Sequence, residues 1–450
     1  MKKYLAMLGF VGVFLGTPSI QANGRFPSAG HVEVDPADPA HIVMRTTYGL
    51  VVTRDGGKRW DWVCEKAMSF SGVWDPPIGI TSEGKVLAGL PDGLSISTPD
   101  TCEFSRAMAL EGKFVADLAV DKKNPSRAVV LTSLPLGQTF DTRLYSTVDG
   151  GQTFAQVGNV FPENLRGLTV DVCPSDPNVV YVSGVLKGAS PVGVVLRSVN
   201  GGMTYDTFLL PNSDDTHAPF VGGVDPNDAG RVYVRLDGTP GRLYVSENGG
   251  QDWTQIFSGE GALLGFGLSP DGKTLLVGGE KDGIWRSPTT TWAFEQASLV
   301  RAKCLRWTDA GVYACGEQVL DGFSVGFSVT EGSTFKSIAT ISDLCGPLSC
   351  IKAGCTADWP QLRDTLGAKS CNEGTSSSGG GVGGSGGTGG AGGGGEKPPI
   401  GATGGCSCGL APNAGDRTAY FIAAAGVLAW KRRRRAKTSG AHLFRQDKKA

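Results

Sequence analysis

One eight-residue pattern recurs along the chain: hydroxyl, any, Asp or Asn, any, Gly, any, Thr, aromatic. Four copies are clear, at Thr53–Trp60, Thr147–Phe154, Ser198–Tyr205 and Ser246–Trp253. Ser328–Phe335 is a weaker fifth, and Ser97–Phe104 and Ser287–Phe294 are eroded copies that keep only the first hydroxyl and the last aromatic. The starts lie 44, 50, 51, 48, 41 and 41 residues apart. A repeat of this period requires stacked units that bury one another's apolar faces, and about 40–50 residues is the period of a four-stranded propeller blade.

The pattern has a physical cause. An Asp or Asn at the third position, as at Asp55, Asp149, Asn200 and Asn248, accepts hydrogen bonds from backbone amides just ahead of it. Glycine supplies the positive φ of the turn, and the closing aromatic starts a strand and buries its ring. A second turn recurs upstream, at Asp35-Pro36, Asp121–Pro125, Asp176-Pro177 and Asp225-Pro226, with Ser269-Pro270-Asp271-Gly272 as a variant. Each is followed by a short apolar strand such as Val179–Val182 or Arg231–Val234. The unit reads strand, Asp-Pro turn, strand, variable loop, strand, box, strand. That is an antiparallel meander, so the fold class is all-β, built of four-stranded blades. The boxes resemble the Asp-box (BNR) repeats of sialidase-like propellers. The resemblance covers about 30–341 and implies a seven-bladed propeller over 23–341. It implies little about function, because such boxes are structural and occur in enzymes and binding proteins alike.

Strands one and three of a blade run the same way, so the Asp-Pro turns and the boxes share one face. The variable loops and the links between blades share the other, which is where a ligand site is expected. Its longest segments are 66–78, 133–143, 158–167, 184–193, 211–220 and 317–326. Trp74, Asp75, Phe140, Phe161, Arg166 and His217 stand out there as binding residues. No catalytic residue is assigned. A sialidase needs three arginines, a Tyr–Glu pair and an acid, and usually a Phe/Tyr-Arg-Ile-Pro motif; Gly24-Arg25-Phe26-Pro27 has the wrong order. Xyloglucanase-like hydrolases also carry the boxes but build two propellers, and this chain has room for one. Two well-placed acids would still make a glycan hydrolase. The four His, at 31, 41, 217 and 442, show no ligand spacing, so neither metal nor cofactor is expected.

The ends set the expected address. Lys2 and Lys3, an apolar run and small Ala22 form a secretory signal over 1–22. Residues 373–405 are a Gly/Ser-rich linker. Then come Cys406 and Cys408, an apolar stretch Thr418–Trp430 and Lys431–Arg435. That order resembles the MYXO-CTERM sorting tail of myxobacterial surface proteins, over about 406–435, with a basic cytoplasmic extension at 436–450. The resemblance implies a membrane association, a sorting protease acting near Cys406 or Cys408, and export to the cell surface. Removing both ends leaves 31 Lys or Arg against 42 Asp or Glu in 23–430. An acidic body excludes nucleic acid as the partner.

Eleven Cys in an exported chain read as disulfides. Cys304 and Cys315 bracket a hairpin and should face each other. Cys64 and Cys102 are expected to link the first two blades. Cys345, Cys350, Cys355 and Cys371 cluster in a Cys-rich segment at 342–372, with zinc as the alternative to disulfides, and Cys173 has no evident partner. Blades one and seven each contain their own four strands, so no strand is expected to be borrowed across the ends. The Cys-rich segment should instead be disulfide-bonded and packed near the seam. The reading is a monomeric, surface-tethered binding or scaffold module for a glycan or an envelope protein. The competing readings are a glycan hydrolase and an envelope assembly factor.

Overall fold

The computed structural model describes residues 26–351, 354–368 and 371. The signal, linker, tail and extension, including Cys406 and Cys408, lie outside the described residues. Among the described residues no helix is long and apolar enough to cross a membrane.

Seven antiparallel sheets follow one another along the chain, each with its four strands in sequence order. The first strands are Ala29–Val34, Ile78–Ile80, Val115–Val120, Leu165–Val172, Pro219–Val224, Gly265–Leu268 and Cys304–Thr308. Each touches the first strand of the blade before and after it, and the last touches the first, so they form a closed inner ring. Glycine makes this approach possible at two seams. A Cβ at Gly79 would lie 2.7 Å from Val120, and one at Gly265 would lie 2.8 Å from Leu305. The repeat therefore gives the seven-bladed propeller that its spacing predicts.

The boxes hold the outer half of every blade but the sixth, where the Ser287 hydroxyl bonds only to Pro288 O and the Thr289 hydroxyl to Gly272 O. In blade three the Thr147 hydroxyl donates to Asp149 Oδ1 at 2.7 Å and accepts from the Gly151 amide at 3.1 Å. Asp149 Oδ1 also accepts from the amides of Gln152 and Thr153, at 2.9 and 3.0 Å. Asp55, Asn200 and Asn248 occupy the same position, each taking the amide four residues on at 2.9–3.0 Å. Thr330 does the same with its hydroxyl at 3.0 Å in blade seven. The eroded copy in blade two is shifted by one residue from the expected start at Ser97: Thr98 is the hydroxyl, donating to Asp100 at 2.5 Å. The box glycines then tie the turn to the Asp-Pro turn of the same blade, as Gly150 N donates to Ser126 O at 2.9 Å. Both turn types therefore share a face.

Blade one departs from the expected pattern. A strand at Leu344–Pro347 pairs in parallel with its outer strand, Trp60–Val63, and makes it five-stranded. This borrowed strand corrects the expectation that none crosses the seam. Gly346 and Pro347 read as turn formers, which hides a four-residue edge strand from any propensity argument. A helix, Cys355–Leu366, follows and lays Trp359 against Trp62, with ring centroids 6.1 Å apart. The consequence is visible in burial. Trp60, Trp62 and Val63 are buried, whereas the outer strands of blades three to six are half-buried or exposed.

Disulfides fix this strap. Cys64 pairs with Cys355 and Cys102 with Cys350, so the expected Cys64–Cys102 bridge is replaced by two bridges that reach the strap. Cys345 pairs with Cys371, and Cys304 with Cys315 across its hairpin as expected. Cys64 directly follows the outer strand of blade one while Cys102 lies in the box of blade two, and the strap runs past both. Cys173 is free and buried, 3.1 Å from Ser175 Oγ.

Candidate functional site

Hairpin length distinguishes the blades. The second and third strands have nine residues each in blade three, Ala128–Leu136 and Thr139–Thr147, and seven each in blade four, Val180–Leu186 and Val192–Ser198. Elsewhere they have four to six. Two arms on neighbouring blades thus extend over the variable face. The link between these blades is clamped by both. Phe140 N donates to Glu163 O at 2.7 Å, Phe161 N to Thr142 O at 3.2 Å, and Lys187 N to Asn164 O at 2.8 Å.

Charged side chains gather on this ridge. Lys187 Nζ is bonded to Asp215 Oδ1, and Arg166 Nη2 lies 3.8 Å from the same oxygen. On the other flank Asp141 is shared by Arg143, at 2.6 Å, and Lys113, at 3.1 Å. Burial pushes the Asp141 carboxyl up, but its bonds to Arg143 and Lys113 outweigh it and hold the group below its ordinary range. Beside Asp215, Asp214 accepts from the Thr216 hydroxyl and amide and the His217 amide, which pull its pKa down to about 2. His217 Nδ1 stands 3.3 Å from the same carboxylate.

Of the six residues singled out in the sequence, Phe140, Phe161, Arg166 and His217 belong to this ridge and its supporting link. Phe161 is only 6% exposed and stacks on Tyr205, centroids 4.8 Å apart, so it supports the ridge from below rather than meeting a ligand. Trp74 and Asp75 sit apart, in the link between blades one and two. Trp74 Nε1 donates to Gly89 O at 2.8 Å and its ring meets Phe114 edge-on. The Asp75 carbonyl accepts from Arg45 at 3.3 Å. Sequence reasoning missed Lys113, Asp141, Arg143, Lys187 and Asp215. Four of these lie inside the long segments 133–143, 184–193 and 211–220, so loop length was the usable signal.

Ionisable groups also lie between the inner strands, and these are closed off. His31 Nε2 is 2.8 Å from Glu33 Oε1, and Glu33 Oε2 is 3.0 Å from Arg306 of blade seven. Asp117 Oδ2 accepts from Val170 N at 3.0 Å. Burial, and to a lesser degree the neighbouring Asp171, raises the Asp117 pKa well above the ordinary carboxylate range. Asp117 and Asp171 are 1% and 4% exposed. Among the described residues no group of three His, Cys, Asp or Glu is placed to hold a metal.

A seven-bladed propeller with a polar ridge over two blades and a disulfide strap at its seam is therefore the class that this chain defines. No known protein-family profile matches it, and no curated protein does. Solved structures do. An ancestral GH74 enzyme is 16% identical with a TM-score of 0.51, over 68% of this chain and 46% of that one. YCF48 from Cyanidioschyzon merolae is 15% identical with a TM-score of 0.45, over 64% of this chain and 92% of that one. YCF48 bound to D1 peptide is 15% identical with a TM-score of 0.34, over 51% and 67%. The chain thus spans less than half of the GH74 enzyme, and the likeness to it is one of fold.

Proposed function

We propose that the protein is an exported, surface-tethered binding module of the Asp-box, sialidase-like type, and that it takes a glycan or an envelope protein on the ridge over blades three to five. The observation that carries this reading is the contrast between the faces. On the box face the acids and hydroxyls are spent on their own turn amides. On the ridge Arg166 and Lys187 pair with Asp215, and His217 with Asp214, through side chains about one-quarter to one-half exposed, so a partner can replace those pairs. Asp117 and Asp171, between the inner strands, are sealed from a sugar chain, so a glycan hydrolase here would have to draw both its acids from the ridge, where Asp141, Asp214 and Asp215 are engaged with cations or turn amides. The tail at 406–435 would hold the module at the cell surface.

The test is a glycan and surface-protein binding screen on residues 23–372, repeated with Arg166→Ala/Lys187→Ala. Loss of about tenfold in affinity, or roughly 1.4 kcal/mol, is expected for the double variant. Unchanged binding would place the site elsewhere, and turnover of any captured glycan would replace the binding reading with the hydrolase.

A further inference from the structure

The strap does more than cover an edge strand, because of where its bridges attach. Cys371 is the last described residue, and the Gly/Ser-rich segment follows it directly. Cys371 is bonded back to Cys345, at the start of the added strand. From there Cys350 leads covalently to Cys102 in blade two and Cys355 to Cys64 in blade one. Non-covalent contacts follow the same route: the parallel pairing of Leu344–Pro347, the Trp62–Trp359 stack and the Lys66–Asp358 ion pair at 2.6 Å.

We propose that the strap is a mechanical anchor, which delivers tension entering from the C-terminal segment to blades one and two and keeps it off the strands of blade seven. Without the bridges, a pull at residue 371 would strip the helix, then the added strand, then Lys336–Ala339, the outer strand of blade seven, which beyond its own sheet is held by the bond from Trp60 Nε1 to Ile338 O at 3.0 Å and by packing on the blade-one core. With them, the covalent path from residue 26 to Cys371 runs 38 residues to Cys64, crosses to Cys355, runs 10 residues back to Cys345 and crosses to Cys371. Everything from blade two to blade seven lies off that path. The usefulness of this device rests on the tether reading above; the mechanics do not.

Single-molecule stretching of the full chain between its two ends tests the proposal without reference to where the protein resides. The flanking segments add the same length in every case. Oxidised, the propeller and strap should lengthen to no more than 48 residues of chain, about 170 Å. Cys64→Ser/Cys355→Ser should divert the load through Cys102–Cys350. The path is then 76 residues to Cys102 and 5 from Cys350 to Cys345, about 280 Å in all. Reduction with dithiothreitol should release the whole 345 residues from 26 to 371, about 1,200 Å. Oxidised protein that extends as far as reduced protein would overturn the proposal. So would a Cys64→Ser/Cys355→Ser variant that extends as far as reduced protein, because the second bridge would then carry no load.

Discussion

Asp149 offers the sharpest test of the repeat. Its carboxylate accepts from two backbone amides and from the hydroxyls of Thr147 and Thr153, at 2.5 to 3.0 Å. Asp149→Ala removes all four bonds at once. The amides of Gln152 and Thr153 are at the surface, where water takes over, so each should cost well under 1 kcal/mol. Thr147 is buried, 3% exposed, and also holds the Gly151 amide; its hydroxyl would lose its acceptor in a dry place. Together about 1–3 kcal/mol should be lost. Asp149→Asn should cost less than about 1 kcal/mol, because Asn200 and Asn248 already perform the same task with an amide oxygen.

The two variants also separate charge from geometry. The Thr153 hydroxyl and amide and the Thr147 hydroxyl hold the Asp149 carboxyl well below its usual range. A depressed pKa stabilises the fold above the unfolded value, near 4, and that contribution disappears as pH falls through the folded value. Wild type should therefore lose its advantage over Asp149→Asn only below about pH 4. Urea unfolding from pH 2.5 to pH 7 reads both effects. Equal stability of Asp149→Ala and wild type at pH 7 would refute the turn-cradle argument, and loss of ligand binding at unchanged stability would make the boxes functional.

Three further outcomes follow from the geometry. Asp117 has a raised pKa, so its contribution is complete below the unfolded value near 4 and declines as pH rises toward the folded one; Asp117→Asn should be more stable than wild type at pH 8 but not at pH 4, and a parallel pH profile would sink this. The Cys64–Cys355 and Cys102–Cys350 bridges close overlapping loops of 291 and 248 residues. With one bridge intact the other closes only the 38 residues from Cys64 to Cys102 plus the 5 from Cys350 to Cys355, so by chain entropy removing either pair alone should cost about 4 kcal/mol but removing both about 10, and strictly additive losses would disprove a shared loop. Removing 406–450 should release a folded propeller into the medium, and truncated protein that stays on the cell would contradict the tether reading.

What the sequence disclosed, it disclosed through local chemistry. The boxes are complete within eight residues, and the register that sets Cys304 opposite Cys315 is complete within one hairpin. Cys64 misled because its true partner is 291 residues away, beyond any local rule, while Cys102 in the next repeat unit was the nearest plausible thiol. The added strand was hidden for the same reason: its pairing partner, Trp60–Val63, precedes it by the whole ring. At the ridge, loop length pointed to Arg166 and His217. The meeting of Arg166 and Lys187 on Asp215 depends on how the inner strand, the hairpin and the next link of the blade are set against each other, which no single segment encodes.

How a partner would meet the ridge follows from the backbone of the longer arm. In Ala128–Leu136 the register sets Ser133 opposite Thr142 and Pro135 opposite Phe140. Phe140 N and Thr142 O face away from the hairpin, toward the link at 161–163, and are already bonded there. Ser133 and Pro135 must then face the opposite edge, toward the inner strand. The Ser133 amide is spent on Phe114 O at 2.9 Å, and Pro135 has no amide to give. Neither edge of the arm offers a ladder of free donors, so adding a strand from another chain, the usual hazard and use of an exposed edge, is blocked here. On this arm, recognition of the proposed partner would rest on side chains. Arg166 and Lys187 share Asp215, and His217 pairs with Asp214, so their substitution, rather than blockage of an edge strand, is the perturbation that tests the proposed site.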